Sequence, residues 1–398
     1  MVTYGFSVQG TSHIKKYIDC QDAHIIGDLD GNWKLLAVAD GVGSAIYSDI
    51  GSKTAVITIL EYCQIHFENK MNKNQYMDVL KQGYHKAFNQ IEKICMNSNN
   101  QIEDYDTTLT TVLYNGEYLI YGHAGDGGII IKDKQWKNKM ITEPQKGEDG
   151  ISVRPLRAGE DSWDFGIVNE RVVAVLLATD GMLNAMLPPL LNLNRNKDNT
   201  RMVYNTLADF FMNPYCVYKN KQIKAGDKFM YQFLLGKIEV KTFNACLQNG
   251  YEKILSKRDA NKICQSIEKY NYSTWEIEKV EDDKTIVCAI ETKARVRITD
   301  VEYFIEPQWE KLQEQFERLA YPSLFQEEKR IQKEEAKKEI LIPKNKKIKE
   351  VKKKIKIGSM KEKIFVFNIR IRASTIIFCV VMSGILMCVI LLIFIFLL

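Results

Sequence analysis

The sequence predicts an α+β fold in which antiparallel sheets pack on each other and helices cover them. Asp30-Gly31 and Asn115-Gly116 are turn dipeptides, and each separates two strand-like apolar runs. Strands joined this closely run antiparallel, because a parallel connection needs a dozen or more residues. Apolar residues at helical spacing then predict two long helices, Ser44–His66 and Gln75–Met96, between the second and third strands.

The remaining elements follow from the same patterns of apolar residues. The predicted strands are His24–Ile26, Lys34–Ala39, Leu109–Tyr114, Tyr118–Tyr121, Ile129–Lys132, Val172–Ala178 and Thr285–Ile290. Helical stretches at Thr200–Phe211, Thr242–Ile254 and Arg258–Tyr270 lie in a less regular region, residues 188–272. We expect one domain over residues 1–295, with residues 188–272 as a variable, partly helical region within it.

The chain changes character after residue 295. Residues 296–372 are highly charged and predict a solvated helix followed by a basic juxtamembrane linker, with ten lysines from Lys344 to Lys363. Residues 373–398 contain no charged side chain and exceed the roughly 20 apolar residues that a spanning helix needs. We therefore expect a single-pass C-terminal transmembrane helix. The preceding positive charge predicts that the main domain is cytoplasmic.

Composition excludes some classes of function for the main domain. The net charge is +5, and most of the excess lysine lies after Pro343, so nucleic-acid binding is not expected. The nine cysteines form no CxxC pair and no zinc-type cluster with histidine, which favours buried, reduced thiols in a cytosolic domain.

Several aspartates stand at the ends of apolar runs. Asp40, Asp126 and Asp180 each follow such a run and precede a glycine, whereas Asp282 precedes the run TIVCAI. Buried strands would bring these carboxylates together, where they repel each other unless cations neutralise them. Aspartates without cysteine ligands suit Mg²⁺ or Mn²⁺.

A family resemblance depends on these residues and on others in the same order. Its motifs are Gly10-Thr-Ser12-His13, Cys20-Gln21-Asp22-Ala23, Ala39-Asp40-Gly41-Val42-Gly43-Ser44, Asp106-Thr107-Thr108-Leu109, Gly125-Asp126-Gly127, Ala178-Thr179-Asp180-Gly181 and Asp282-Asp283-Lys284-Thr285. Together they resemble the type-2C metal-dependent serine/threonine protein phosphatases, in particular the bacterial branch. Each motif is short, and their common order over roughly residues 3–291 carries the resemblance.

The resemblance implies a fold and a metal centre. The fold is an αββα sandwich of two antiparallel sheets flanked by helix pairs, with two Mn²⁺ or Mg²⁺ ions at one end and a third, weaker ion. The implied metal ligands are Asp22, Asp40, the Gly41 carbonyl, Asp126 for the third ion, Asp180 and Asp282. Asp40, Asp180 and Asp282 are the implied catalytic residues, because they hold the ions whose bridging hydroxide attacks phosphorus.

Some positions depart from the better-known family members. Lys15 and Lys16 stand near the place of an arginine that holds the substrate phosphate, and His13 is a further candidate for that contact. The alternative for His13 is a structural hydrogen bond in the local turn. Val42 replaces a histidine, so water must protonate the leaving group, and Asn184 replaces an aspartate that supports the third ion.

The implied function is hydrolysis of phosphoserine or phosphothreonine in protein substrates at the cytoplasmic face of a membrane, opposing a partner kinase. Three alternatives remain open. Asp28-Leu29-Asp30-Gly31 imitates the nucleophile loop of haloacid-dehalogenase-like hydrolases, although a strand follows it almost at once. The chain could also be a pseudophosphatase that binds phosphoproteins, or a purely structural membrane tether.

Overall fold

The computed structural model describes residues 1–149, 152–192, 201–213, 260–265, 267–268, 281–291, 301–305, 307–320 and 322. All belong to Met1–Gln326, the first of two compact units in the chain. The strands are β1 (Val2–Val8), β2 (Ala23–Asp28), β3 (Lys34–Ala39), β4 (Leu109–Tyr114), β5 (Leu119–Ala124), β6 (Gly128–Asp133), β7 (Asn138–Met140), β8 (Asp164–Val168), β9 (Val172–Ala178) and β10 (Lys284–Ile290). The helices are α1 (Thr11–Lys16), α2 (Ser48–His66), α3 (Lys73–Ser98), α4 (Asp180–Met186), α5 (Asn205–Met212) and α6 (Trp309–Ala320).

The strands form two antiparallel sheets, which confirms the predicted fold class. One sheet has the order β1-β10-β9-β6-β7 and the other the order β2-β3-β4-β5-β8. Of the seven predicted strands, β3, β4 and β9 match residue for residue, and the other four differ only at their ends. The two connections with turn dipeptides are longer than expected, since Asp28 pairs with Lys34 and Tyr114 with Leu119.

Three apolar layers hold the sheets and helices together. Between the sheets lies a cluster that includes Val38, Val112 and Leu177. Helices α2 and α3 cover the outer face of the β2-containing sheet, and their apolar residues are buried there with those of β3, β4 and β5. On the β1-containing sheet, α4, α5 and residues 260–264 supply the outer layer. Alternate strand residues therefore face two different cores, which explains their nearly continuous hydrophobicity.

The register brings the ends of several strands to one end of the sandwich. In one sheet Ala39 pairs with Ala23, so the end of β3 lies beside the start of β2. In the other sheet Ala178, at the end of β9, pairs with Ile286 of β10 and Gly128 of β6. Residues that follow β3, β5 and β9 therefore meet residues that precede β2, β6 and β10.

The packed structure extends beyond residue 295. Phe304 and Trp309 are 1% and 7% exposed and belong to the apolar layer over the β1-containing sheet. Helix α6 is therefore not fully solvated, because Leu312 and Phe316 also pack on this layer. Within the described ranges, no helix combines the length and apolar character needed to cross a membrane. The predicted span, residues 373–398, lies outside the described residues.

Candidate active site

A hydrogen bond between the two sheets fixes Asp22 at the centre of this end of the sandwich. The Thr179 hydroxyl, just after β9, donates to Asp22 Oδ2 at 2.8 Å. Asp22 is 4% exposed and its Oδ1 is buried without a hydrogen-bond partner. Burial, followed by the nearby Asp283 carboxylate, raises the pKa of Asp22 well above its ordinary value.

The loop after β3 holds Asp40 by its backbone and leaves its side chain available. The Asp40 carbonyl oxygen accepts hydrogen bonds from Thr108 N at 2.8 Å and Thr107 Oγ1 at 3.0 Å. The Asp40 N–H donates to Thr108 Oγ1 at 2.8 Å. The next residue, Gly41, donates its N–H to the Gln21 carbonyl at 3.2 Å, so this loop also contacts the segment that carries Asp22.

Asp40 and Asp180 meet from different sheets. Each carboxyl group influences the pKa of the other, although 140 positions separate them in the chain. Burial, then Asp22 and Asp180, raises the pKa of Asp40 well above its ordinary value. Burial, then Asp126, raises the pKa of Asp180 from 3.8 to about 6. This end of the sandwich therefore concentrates the negative charges of Asp22, Asp40 and Asp180.

Asp126, between β5 and β6, already has a cationic partner. Its carboxylate is paired with Lys146, which belongs to a hairpin closed by hydrogen bonds from Gly147 N to Ser152 O and from Arg154 N to Gln145 O. The ammonium group of Lys146 also acts on Asp180: it opposes the rise in the pKa of Asp180, but more weakly than burial and Asp126 favour that rise. Lys146 could not be predicted from the sequence, because nothing in the local sequence marks it as a neighbour of Asp126.

The segment before β10 brings two aspartates with different roles. Asp282 has a side chain that is 57% exposed, and its Oδ1 accepts the Asp283 N–H at 2.8 Å. Asp283 is 3% exposed and accepts the backbone N–H groups of Gly10 and Gln21, both at 2.6 Å. Asp283 thus fastens the chain around Asp22 to β10. The role of Asp283 was not predicted from the sequence, although it directly follows Asp282 in the same motif.

The three residues proposed to contact substrate phosphate divide into two groups. His13 is buried, with its Nδ1 2.9 Å from Asp283 Oδ1 and its Nε2 3.7 Å from Asp282 Oδ1. Lys15 is 65% exposed and pairs with Glu281 at 3.3 Å, and Lys16 is exposed on the same short helix. The structure therefore brings His13 into the carboxylate cluster and leaves both lysines at its rim.

These residues fit divalent cations. Asp22 Oδ1 and Asp180 Oδ1 are buried acceptors that lack a hydrogen-bond partner, a costly arrangement unless a cation completes it. The raised pKa values of Asp22, Asp40 and Asp180 have the same physical origin, since buried like charges destabilise one another. Oxygen donors of this kind suit small, hard divalent ions.

A family comparison agrees with the resemblance found in the sequence. The family model described as protein phosphatase 2C matches residues 9–213, more than half of the chain. This range includes Asp22, Asp40, Asp126 and Asp180 and ends before Asp282. Among curated proteins, no sequence matches the chain significantly.

Solved structures of bacterial phosphatases are also similar to this chain. The serine/threonine phosphatase Stp1 from Staphylococcus aureus is 14% identical, with a TM-score of 0.44, over 73% of this chain and 95% of that one. The S. agalactiae serine/threonine phosphatase is 12% identical, with a TM-score of 0.46, over 73% and 99%. The catalytic domain of the serine/threonine protein phosphatase PstP, in complex with two manganese ions, is 15% identical, with a TM-score of 0.40, over 72% and 96%.

Proposed function

The chain belongs to the protein phosphatase 2C family, and from this premise we propose that it hydrolyses phosphoserine and phosphothreonine in proteins. Phosphatases of this family use Mn²⁺ or Mg²⁺. The observation that carries the proposal is the meeting of Asp22, Asp40 and Asp180, from both sheets, with buried oxygens left unpartnered. A phosphoprotein-binding module has no need of such a cluster, which would only destabilise it.

The residues of this chain have distinct tasks in the proposed reaction. Asp22, Asp40, Asp180, Asp282 and the Gly41 carbonyl would hold the ions. When bound, the ions supply a water of lowered pKa as the nucleophile and neutralise charge on the phosphoryl group. The Thr107 and Thr108 contacts fix the backbone of Asp40, so this carboxylate needs little rearrangement during the reaction.

The direct test compares Asp40→Asn with Asp28→Asn. Asp28 has a side chain that is 80% exposed and pairs with Lys34, away from the cluster. Metal ions stabilise the transition state by several kcal/mol, so Asp40→Asn should lower kcat/KM for a phosphothreonine peptide about 100-fold or more. Asp28→Asn should retain activity.

The same pair of variants separates the alternative functions. A haloacid-dehalogenase-like mechanism gives the reverse result, because its nucleophile would be Asp28. A folded wild-type chain that binds Mn²⁺ but hydrolyses neither a phosphopeptide nor p-nitrophenyl phosphate favours the pseudophosphatase.

We also propose that the phosphatase acts at the cytoplasmic face of a membrane, where a partner kinase would phosphorylate its substrates. The uncharged residues 373–398 and the ten preceding lysines support this location. Deleting residues 373–398 should release the protein into the soluble fraction. If the shortened chain still sediments with membranes after a high-salt wash, the anchor is elsewhere.

A further inference from the structure

His13, Asp282 and Asp283 form a group of potential metal ligands. One ring nitrogen of His13 and one carboxylate oxygen from each aspartate all lie within 4.8 Å of one another. His13 and Asp283 are 9% and 3% exposed, whereas the Asp282 side chain is 57% exposed. The group is thus rigid on one side and open to solvent on the other.

The backbone around this group fixes the imidazole. Ser12 donates both its N–H and its hydroxyl to the Glu281 carbonyl, at 2.9 and 2.8 Å. Gly10 donates its N–H to Asp283, and a Cβ at Gly10 would lie 2.3 Å from the Asp282 carbonyl carbon. Helix α1 therefore lies directly against the segment before β10, and His13 has little freedom to turn away.

The contact between His13 and Asp283 is short but does not have hydrogen-bond geometry. Nδ1 lies 2.9 Å from Asp283 Oδ1, yet it is a buried nitrogen without a hydrogen-bond partner. Two ligands at right angles on one small divalent ion, with bonds of about 2.1 Å, are about 3 Å apart. The observed separation matches that spacing.

We propose that His13 is a nitrogen ligand of a divalent ion that it shares with Asp283 and Asp282. The inference rests on the proposed function for the part played by Asp282. An imidazole ligand favours Mn²⁺ and the later transition ions over Mg²⁺, which prefers oxygen. His13 thus makes the centre selective for manganese, and it acts on the metal rather than on the substrate phosphate.

The decisive measurement is electron spin-echo envelope modulation of Mn²⁺ bound to the full-length chain. A coordinated imidazole gives nitrogen-14 modulation, which an all-oxygen site lacks. The chain has five histidines. Of these, His24 lies 2.8 Å from the Ser7 hydroxyl and His123 lies 2.9 Å from the Thr110 hydroxyl. We expect the modulation in the wild type, its loss in His13→Gln and its retention in the surface control His85→Gln.

Metal affinity provides a second readout. In isothermal titration calorimetry, His13→Gln should weaken Mn²⁺ binding about 10- to 100-fold and should change Mg²⁺ binding much less. The ratio of the Mn²⁺ affinity to the Mg²⁺ affinity should therefore fall. Bound Mn²⁺ without nitrogen modulation in the wild type overturns the inference, even if His13→Gln fails to fold. Mn²⁺-dependent phosphatase activity in that case leaves the proposed function intact. If the wild type binds no Mn²⁺ at all, the inference about His13 fails. The proposed function fails as well only if the chain also shows no Mg²⁺-dependent hydrolysis of a phosphothreonine peptide.

Discussion

The cluster at the end of the sandwich should destabilise the protein when metal is removed, and Asp180→Asn should relieve part of this cost. The pKa of Asp180 rises from 3.8 to about 6, mainly through burial. At about 1.4 kcal/mol per pKa unit, ionised Asp180 destabilises the metal-free fold by about 3 kcal/mol. Its charge also lies in the first turn of α4, where it stabilises the helix by only about 0.5 kcal/mol. The net gain expected for Asp180→Asn is therefore about 2–3 kcal/mol.

The gain should depend on pH in a defined direction. The unfolded chain releases the Asp180 proton near 3.8, whereas the folded, metal-free protein keeps it up to about 6. The contribution of Asp180 to stability therefore declines as the pH rises from about 4 to about 6 and is constant above that. The advantage of Asp180→Asn over the wild type should be small at about pH 4 and complete at about pH 7.5.

Urea unfolding in EDTA measures this difference, with Asp28→Asn as the matched control for an exposed aspartate. Adding Mn²⁺ should reverse the order, because the wild type gains more from binding than a variant that lacks one ligand. The reasoning is refuted if Asp180→Asn is less stable than the wild type in EDTA at neutral pH. A difference that does not change with pH would also contradict it.

Three further expectations concern stability. Lys132 and Asp209 form an ion pair at 2.6 Å, and both side chains are fully buried. Lys132→Met leaves the Asp209 charge buried without its partner and should lower the free energy of unfolding by about 3–5 kcal/mol, as measured by urea titration. Adding Asp209→Leu removes that charge and should recover most of the lost stability. Gly51→Ala places a Cβ 2.1 Å from a backbone carbonyl oxygen and should lower the free energy of unfolding by about 1–3 kcal/mol. Gly43→Ala places its Cβ in open space and should lower it less. Equal losses of stability in the two variants would contradict the close packing at Gly51. Burial lowers the pKa of His123 from 6.5 to about 4. The stability that neutral His123 contributes is therefore lost as the pH falls from 6.5 towards 4. An NMR titration that gives His123 a pKa near 6.5 would contradict this expectation.

The accuracy of the strand predictions followed the degree of burial. Lys34–Ala39, Leu109–Tyr114 and Val172–Ala178 are nearly continuous apolar runs, and each forms a central strand with the predicted bounds. Three strands were not predicted from the sequence: β1, β7 and β8. All three include partly exposed residues, and all three lie at sheet edges, where each pairs with only one strand. A half-buried strand has a weaker hydrophobic signal, because solvent accepts polar residues on its open face.

The end of the packed domain was harder to predict than its strands. The acidic and basic residues after Asp300 predicted a solvated helix, but Trp309 and Phe304 are buried on the β1-containing sheet. Two or three apolar residues suffice to attach such a helix when a complementary surface is available. The sequence contains the residues but does not show that the surface exists.

By itself, the sequence determined which aspartates lie at strand ends, because an apolar run followed by Asp-Gly is a local pattern. The tertiary structure alone decided the partners of these carboxylates: Thr179 for Asp22, Lys146 for Asp126, and two backbone N–H groups for Asp283. The Asp22 contact spans 157 positions and the Asp283 contact with Gly10 spans 273. Contacts at such separations depend on the register between strands and on the stacking of the two sheets, which no local pattern encodes.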